Sequence, residues 1–528
     1  MKIQVAKPAA IERRRLLSRR EFLRALPLVP GVVSVLSGAT AADSRLFLGW
    51  NHPWIAYGHD FGENAWGHDG ISTNGWTFET FRDSQGFFDT QVVRGIACSG
   101  GGSLRISADL AGGHPNRSSG EVHLVLGDHP AALCPRAGVP YLNLDGITAR
   151  CTILLPPGSA GPAAAPNGVQ FLFKTRLSDE QWPSLYTAWQ NIGPAWEGKC
   201  VSLVAQVTRA GAAHVDPGFD PTQVSLIGLK VGISSASLAS LTGPIYLDDY
   251  VLETTPLITF DFEELELYTQ FKEIQDITSG SFPIARVFVF ADGRASPEFT
   301  ATGHVTALDG SFFRDFDALV EAAARTNVLL VPVLLDFNWC SQQKIVSGVP
   351  LGGHADVIRD ADKRQSFLAI LTQLLQRYGK HPAVVAWDII NEPEWVITEV
   401  PEKIPDFRAD FVPLADMQEF VKACADLVHR FTDDFVTLGS ARRKWLQLWR
   451  GLGLDFYQFH WYDHFSSDEP FPWPPAWLLG LDRPVVIGEV PVQNTRYSPE
   501  EFIAAAAAGG YAALLFWSCR ARDEFSGF

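Results

Sequence analysis

Two glutamates carry the strongest chemical signal in the chain. Residues 387–395 read WDIINEPEW, so an apolar run over 383–390 ends in Asn391-Glu392, and Pro393 stops any further ladder. The run is apolar on both faces, as in a parallel strand covered by helices. A second carboxylate stands in the same setting 97 residues later (489 − 392), where PVVIGEVP puts Glu489 at the end of an apolar run over 485–488. Two carboxylates on the rim of one sheet are what retaining hydrolysis of a glycosidic bond needs, one as proton donor and one as nucleophile. In a βα-barrel the carboxyl ends of the strands are where chemistry happens.

The elements that must position this pair are sought in a chain of 528 residues, long enough for two or more domains. Its 46% hydrophobic and 19% charged composition is enough for large cores, and a net charge of −16 argues against nucleic acid as partner. Trp is abundant, with 16 residues; aromatic faces stack on sugars, but the core is the first reading for most of them. Seven widely scattered Cys (98, 134, 151, 200, 340, 424, 519) give neither a disulfide framework nor a metal-ligand spacing, so buried thiols are expected. Ser18-Arg19-Arg20-Glu21-Phe22-Leu23 resembles a twin-arginine export signal. An apolar stretch over 25–36, broken by Pro27 and Pro30, and a small-residue site at Ala39-Thr40-Ala41 follow it. That stretch is too short to span a bilayer and no other looks transmembrane. The expected location is periplasmic or extracellular, and the expected state a monomer.

A short strand over 46–50 runs into a loop carrying His52, His59 and His68, whose spacing fits no compact metal-ligand set. Over 70–255 short β-rich runs alternate with turn residues, the texture of an antiparallel sandwich. After residue 255, strands over 284–290, 328–335, 383–390, 435–438, 454–460, 485–488 and 512–517 alternate with helices over 262–274, 312–326, 365–378 and 414–431. Helical stretches over 442–449 and 499–507 complete the pattern. With the strand over 46–50 the total is eight, which makes the chain an α/β protein, a (β/α)8 TIM barrel. The expected division is a signal peptide (1–42), the first barrel strand and loop (43–69), an inserted all-β sandwich (70–255) and the rest of the barrel (256–528). A tandem arrangement, with the strand over 46–50 in the sandwich, is the alternative. The last barrel helix is expected to be missing or very short.

The sandwich resembles the jelly-roll carbohydrate-binding modules of polysaccharide hydrolases, most of all in its closing strand IYLDDYVL over 245–252. That resemblance implies a structural calcium at Glu79 with Asp248 or Asp249, against the plainer reading of solvated turn carboxylates. Trp182, Trp189 and Trp196 would form a sugar-stacking face, or pack against the barrel or inside the sandwich.

The barrel resembles glycoside hydrolase family 5, a retaining clan. The likeness is carried by Arg286 in IARVFVF, Asn391-Glu392-Pro393, His460 and Tyr462 in YQFHWYDH, Glu489 in VVIGE and Trp517 in LLFWS, each at the end of an expected strand and in the family's order. It implies Glu392 as acid/base and Glu489 as nucleophile. Arg286 and Tyr462 would favour the charged Glu489, and Asn391 would bind the sugar 2-hydroxyl. His460 would orient the acid or a hydroxyl, and Trp517 would floor the subsite of the reacting sugar. His460 and His464 stand four apart but on a strand, which does not set up a metal pair. One departure stands out: where the family has a His near the end of its third strand, this chain reads LLDFNWC. Asp336 and Trp339 are the residues there that would take over substrate contact, with a structural role for Asp336 as the alternative.

The expected activity is hydrolysis of a β-linked polysaccharide or oligosaccharide, β-mannan or β-glucan, with no required cofactor or catalytic metal. The same residues would serve transglycosylation, and a non-catalytic sugar-binding barrel is the rival of another class.

Overall fold

The computed structural model describes residues 46–53, 61, 63–64, 67–68, 70–80, 86–111, 119–126, 141–178, 181–234, 236–346, 349–519 and 525. The export signal, Cys134, His59 and most of the segment beyond Cys519 lie outside these residues, as does the side chain of His68. The question of a last barrel helix therefore falls outside them too.

Eight parallel strands close a barrel: β1 (Phe47–His52), β2 (Ile284–Phe288), β3 (Leu329–Asp336), β4 (Ala386–Asn391), β5 (Phe435–Ser440), β6 (Tyr457–His460), β7 (Val485–Pro491) and β8 (Ala513–Trp517). Their apolar residues are buried on both faces, as parallel strands under helices require. β1 closes the ring between β2 and β8, so the chain leaves the barrel after its first strand and returns at its second.

Helices α1 (Glu266–Ile277), α2 (Phe312–Thr326), α3 (Ala361–Tyr378), α4 (Leu414–Phe431) and α5 (Pro499–Ala508) cover the strands. α2 stops where Asn327 takes a left-handed φ of 56°. α5 starts on a capping box between Ser498 and Glu501, with Pro499 in its first turn. The stretch expected as helix over 442–449 is instead a 3-10 helix, Arg443–Trp449.

Between β1 and β2 the chain forms two antiparallel sheets around a separate core of Trp76, Phe171, Phe173, Tyr250 and their neighbours. One sheet runs in the order 212–215, 184–187, 167–175, 224–232, 119–125, 76–80; the other in the order 200–206, 148–154, 240–252, 102–111, 87–94. A short strand, Ile258–Phe260, lies just beyond the expected boundary at 255 and pairs with 240–252. The sheets lean on the flank of α2 and the start of α1. Ser72 N and Oγ donate to Asp315 Oδ1 at 3.0 and 2.6 Å, Arg314 pairs with Asp89, and Glu264 receives both Arg94 and Arg325.

The cysteine reading needs correction. Cys98 and Cys200 form a disulfide across 102 residues, while Cys151, Cys340, Cys424 and Cys519 are buried thiols. Cys98 lies in the turn between strands 87–94 and 102–111 and Cys200 opens the edge strand 200–206, a proximity that linear spacing does not reveal.

Candidate active site

Strand register assembles the site. Asn51 of β1 stands opposite Arg286 of β2, Asp336 of β3 opposite Asn391 of β4, and His460 of β6 opposite Glu489 of β7. Pro491 stands opposite Trp517 of β8. Asp336, Asn391, His460 and Trp517 end their strands, whereas Arg286 is third of five and Glu489 fifth of seven. Those two therefore sit inside strands, not at the ends where the sequence put them.

Arg286 is fully buried and gives every nitrogen of its fork a partner: Nε to Asp388 at 2.8 Å, Nη1 to Glu489 at 2.7 Å and Asn51 at 3.0 Å, Nη2 to Asn391 Oδ1 at 2.8 Å. Burial alone would lower its pKa, but the Asp388 and Glu489 carboxylates outweigh burial and hold it above the ordinary value. The fork fits because β5 presents a glycine: a Cβ on Gly439 would lie 2.7 Å from Arg286 Nη2 and 2.9 Å from His460 Nε2. Asp388 also accepts from Gln458 Nε2 at 2.8 Å and the Gly439 amide at 3.1 Å.

The two glutamates differ in their partners. Glu489, its side chain 5% exposed, accepts from Arg286 on Oε1 and from Tyr462 Oη on Oε2 at 2.7 Å each. Burial raises its carboxyl above the ordinary value, and Arg286 and Tyr462 pull against that rise. Glu392, 17% exposed, accepts on Oε2 from the Trp395 indole at 2.7 Å, and its Oε1 meets His460 Nδ1 at 2.7 Å. Burial pushes the Glu392 carboxyl up to about 7 and His460 down to about 4, so that imidazole is neutral at neutral pH. One atom each of Glu392, His460 and Glu489 lies within 4.8 Å of the other two.

A cavity of about 600 Å³ opens over this pair. Tyr462, Phe465, Trp517, Phe525, Trp395, Lys403 and Arg442 are among the residues that line it. Among the described residues, none between 70 and 255 lines it. Asp336 does line it, and is buried: it accepts from the Asn338 amide at 2.9 Å and from Asn391 Nδ2 at 2.8 Å, and burial raises it to about 6. Its carboxylate on one side and Arg286 on the other fix which way the Asn391 amide points. Trp339 is a correction: it is fully buried against Phe299, His354 and Phe367 and does not line the cavity. His464 reaches Asn494 O at 2.9 Å from a loop, and His52 is buried with its ring 5.6 Å from that of Phe271.

Asp388, Asn51, Gln458 and Trp395 were missed by the sequence reading. The first three are polar residues inside buried strands, each of which demands a partner. The suggested calcium ligands are not brought together. Glu79 clusters with Glu121 and His123, and Lys174 also contacts both glutamates. Asp248, on the other sheet, accepts from the Cys98 and Ser99 amides at 2.7 and 2.9 Å. Nor do the three tryptophans share a face. Trp182 packs on Val125, Leu172 and Leu226, Trp196 on the sandwich core, and Trp189 stands exposed near Gly168.

A carboxyl that holds its proton to neutral pH, beside one gripped by a cation and a phenol, can perform acid-assisted displacement at an acetal carbon. No protein-family model matches the chain. It is similar to a mannan endo-1,4-beta-mannosidase of Mytilus edulis, 27% identical over 282 residues, covering 46% of this chain and 75% of the relative. A mannan endo-1,4-beta-mannosidase of Cryptopygus antarcticus is 24% identical over 285 residues, covering 46% and 71%. Among solved structures, the mussel beta-mannanase superposes with a TM-score of 0.40 at 24% identity, over 47% of this chain and 79% of that one. The endo-1,4-beta-mannanase of Eisenia fetida gives 0.41 at 22% identity, over 49% and 79%.

Proposed function

We propose that the chain is a retaining glycoside hydrolase that cleaves β-1,4-linked mannan. The observation that carries this reading is the unequal pair, Glu392 held at about 7 and Glu489 clasped by Arg286 and Tyr462, with carboxyl oxygens within 4.8 Å. That closeness suits double displacement, whose two carboxyl groups stand about 5 Å apart, better than inversion, whose pair stands about 6.5–9.5 Å apart.

In the first step a Glu489 oxygen bonds to the anomeric carbon as the glycosidic C–O bond breaks. The departing oxygen takes the Glu392 proton. In the second, Glu392, now a carboxylate, takes a proton from water as that water's oxygen attacks the same carbon. The ester bond to Glu489 breaks, and both groups return to their starting states with the anomeric configuration retained. Asn391 has one N–H engaged by Asp336, and its other is left for the sugar 2-hydroxyl. Trp517 would floor the reacting sugar, and His460 would orient Glu392.

Mannan is preferred over glucan because both curated relatives carry that name. We place the barrel in glycoside hydrolase family 5 on the ordered motif set. The sandwich is proposed as a carbohydrate-binding module, with Trp182 and Tyr186 on the face turned away from its core as contact residues. Export by the twin-arginine route rests on the N-terminal motif, and the Cys98–Cys200 disulfide fits an oxidising compartment.

The test is product release from β-mannan, β-glucan, xylan and galactan, with Glu489→Gln as matched control. Oligosaccharides from mannan that vanish in the variant support the reading. Binding without cleavage of any polymer, in folded protein, would make the barrel a sugar-binding protein instead.

A further inference from the structure

The turn that follows Glu392 holds a second acid. Glu394 is fully buried and does not line the cavity. Its Oε1 accepts from Ser440 Oγ at 2.5 Å and Trp449 Nε1 at 2.7 Å, and its Oε2 from the Ala441 amide at 3.0 Å. These partners belong to the end of β5 and the 3-10 helix Arg443–Trp449 that follows it.

Two further contacts fasten the same turn to the same stretch. Glu392, at a left-handed φ of 47°, donates its amide to Gly439 O at 2.6 Å. Trp395, whose indole donates to the Glu392 carboxyl, meets Trp445 edge-on at 5.3 Å. Pro393–Val396 is a single 3-10 turn. Glu394 therefore stands between the acid and its indole donor, and is the point at which that turn is tied most heavily to β5.

We propose that Glu394 is a positioning residue for the acid: by locking the 393–396 turn onto the end of β5, it holds the Glu392 carboxyl and the Trp395 indole in the geometry that delivers a proton to the leaving oxygen. This rests on the reading of Glu392 as that acid.

Burial pushes the Glu394 carboxyl up to about 7, and the three donors that converge on it pull against that rise; they suit a carboxyl and not an amide. The Ala441 and Trp449 N–H groups are fixed donors, and each faces a different oxygen. A glutamine in either orientation sets its own NH2 against one of them. Only the Ser440 hydroxyl can turn, and Arg442 O, 3.0 Å away, offers its proton another acceptor.

The experiment compares kcat/KM on β-1,4-mannan with that on dinitrophenyl β-mannobioside, whose phenolate departs without a proton. Wild type, Glu394→Gln, Ser440→Ala and Glu392→Ala are measured side by side in the full chain. Glu394→Gln should lose about 10- to 100-fold on mannan and less than about 3-fold on the aryl substrate, a fraction of what general acid catalysis supplies. Equal losses on both substrates, or no loss on mannan, overturn the proposal, since damage to the fold has no reason to discriminate between leaving groups. If Glu394→Gln fails to fold, Ser440→Ala decides by the same ratio, with a smaller selective loss in support and none against. Glu392→Ala separates the two layers of the argument. If it loses equally on both substrates, the acid assignment falls and the proposal with it; if only Glu392→Ala is selective, the proposal alone falls.

Discussion

Replacing Trp395 by Phe should move the alkaline limb of the pH–rate profile upward. Burial holds the Glu392 carboxyl at about 7, and the indole N–H, 2.7 Å from Oε2, pulls against burial. A hydrogen bond to a charged acceptor contributes about 1.5–3 kcal/mol and one to a neutral acceptor about 0.5–1.5 kcal/mol. Losing the donor therefore costs the carboxylate about 1–1.5 kcal/mol more than it costs the acid, about one pKa unit at 1.36 kcal/mol per unit. His460 Nδ1 stays on the other oxygen, so the change is confined to one donor. The acid form of Glu392 is the competent one, so the limb on which kcat/KM falls should move from about 7 to about 8. The assay is kcat/KM on mannan across that range, with dinitrophenyl β-mannobioside as a substrate whose profile should lack the limb. Loss of a sugar contact at Trp395 would lower the whole curve without moving its midpoint. An unmoved midpoint would mean that the indole bond does not set this pKa. A lower one would mean that the bulk of the indole, by excluding water, matters more than its N–H.

Arg286→Lys keeps the charge but loses the planar fork. With at least two of the bonds to Asp388, Asn51, Glu489 and Asn391 unmade, and each buried orphan costing about 1–3 kcal/mol, denaturant unfolding should show a loss of at least about 2 kcal/mol. Glu489→Ala should abolish turnover on mannan, and azide should restore cleavage of the aryl glycoside with a product of inverted configuration. Cys98→Ser should destabilise the protein by about 2–5 kcal/mol, the upper end being what chain entropy gives for a loop of 102 residues, and wild type in reductant should melt with the variant.

The barrel was legible because its strands announce themselves. Runs such as VVAWDII and PVVIGE are mostly apolar over their whole length, and the carboxylates that follow or close them have no packing reason to be there. Arg286, Asp388 and Gln458 were equally legible in principle. Each is a polar residue inside a buried strand, and together they satisfy one another. Only Arg286 was noticed, because the other two match no motif end. Trp339 misled in the opposite sense. An aromatic just past a strand end reads as a sugar platform, yet a 3-10 turn over Phe337–Cys340 buries it under Phe299 and His354. Trp395 was hidden by the same kind of turn, which curls its indole back onto Glu392. Short 3-10 turns have no periodicity to read, and contacts that depend on them appear only in three dimensions.

Burial keeps the proton on Glu392, and charge counting inside the barrel predicts when it leaves. Arg286 with Asp388 and Glu489 sums to −1, and the neutral His460 adds nothing. Ionising Glu392 as well would make −2, and among the described residues its hydrogen-bonding partners are an indole and that neutral imidazole. The first chemical step removes the obstacle: once Glu489 is an ester its charge is gone, and the sum stays at −1 with the charge moved to Glu392. Two like charges about 5 Å apart, the spacing of a retaining pair, repel by about 3.3 kcal/mol at an effective dielectric of about 20, which is about 2.4 pKa units. The Glu392 carboxyl should therefore fall from about 7 by at least one unit when Glu489 is esterified, ready to take a proton from water. Trapping the enzyme with a 2-fluoro sugar and following the labelled Glu392 carboxyl carbon by NMR titration measures this directly. A midpoint unchanged by trapping would show that burial alone sets the Glu392 pKa and that the two carboxyls do not sense each other.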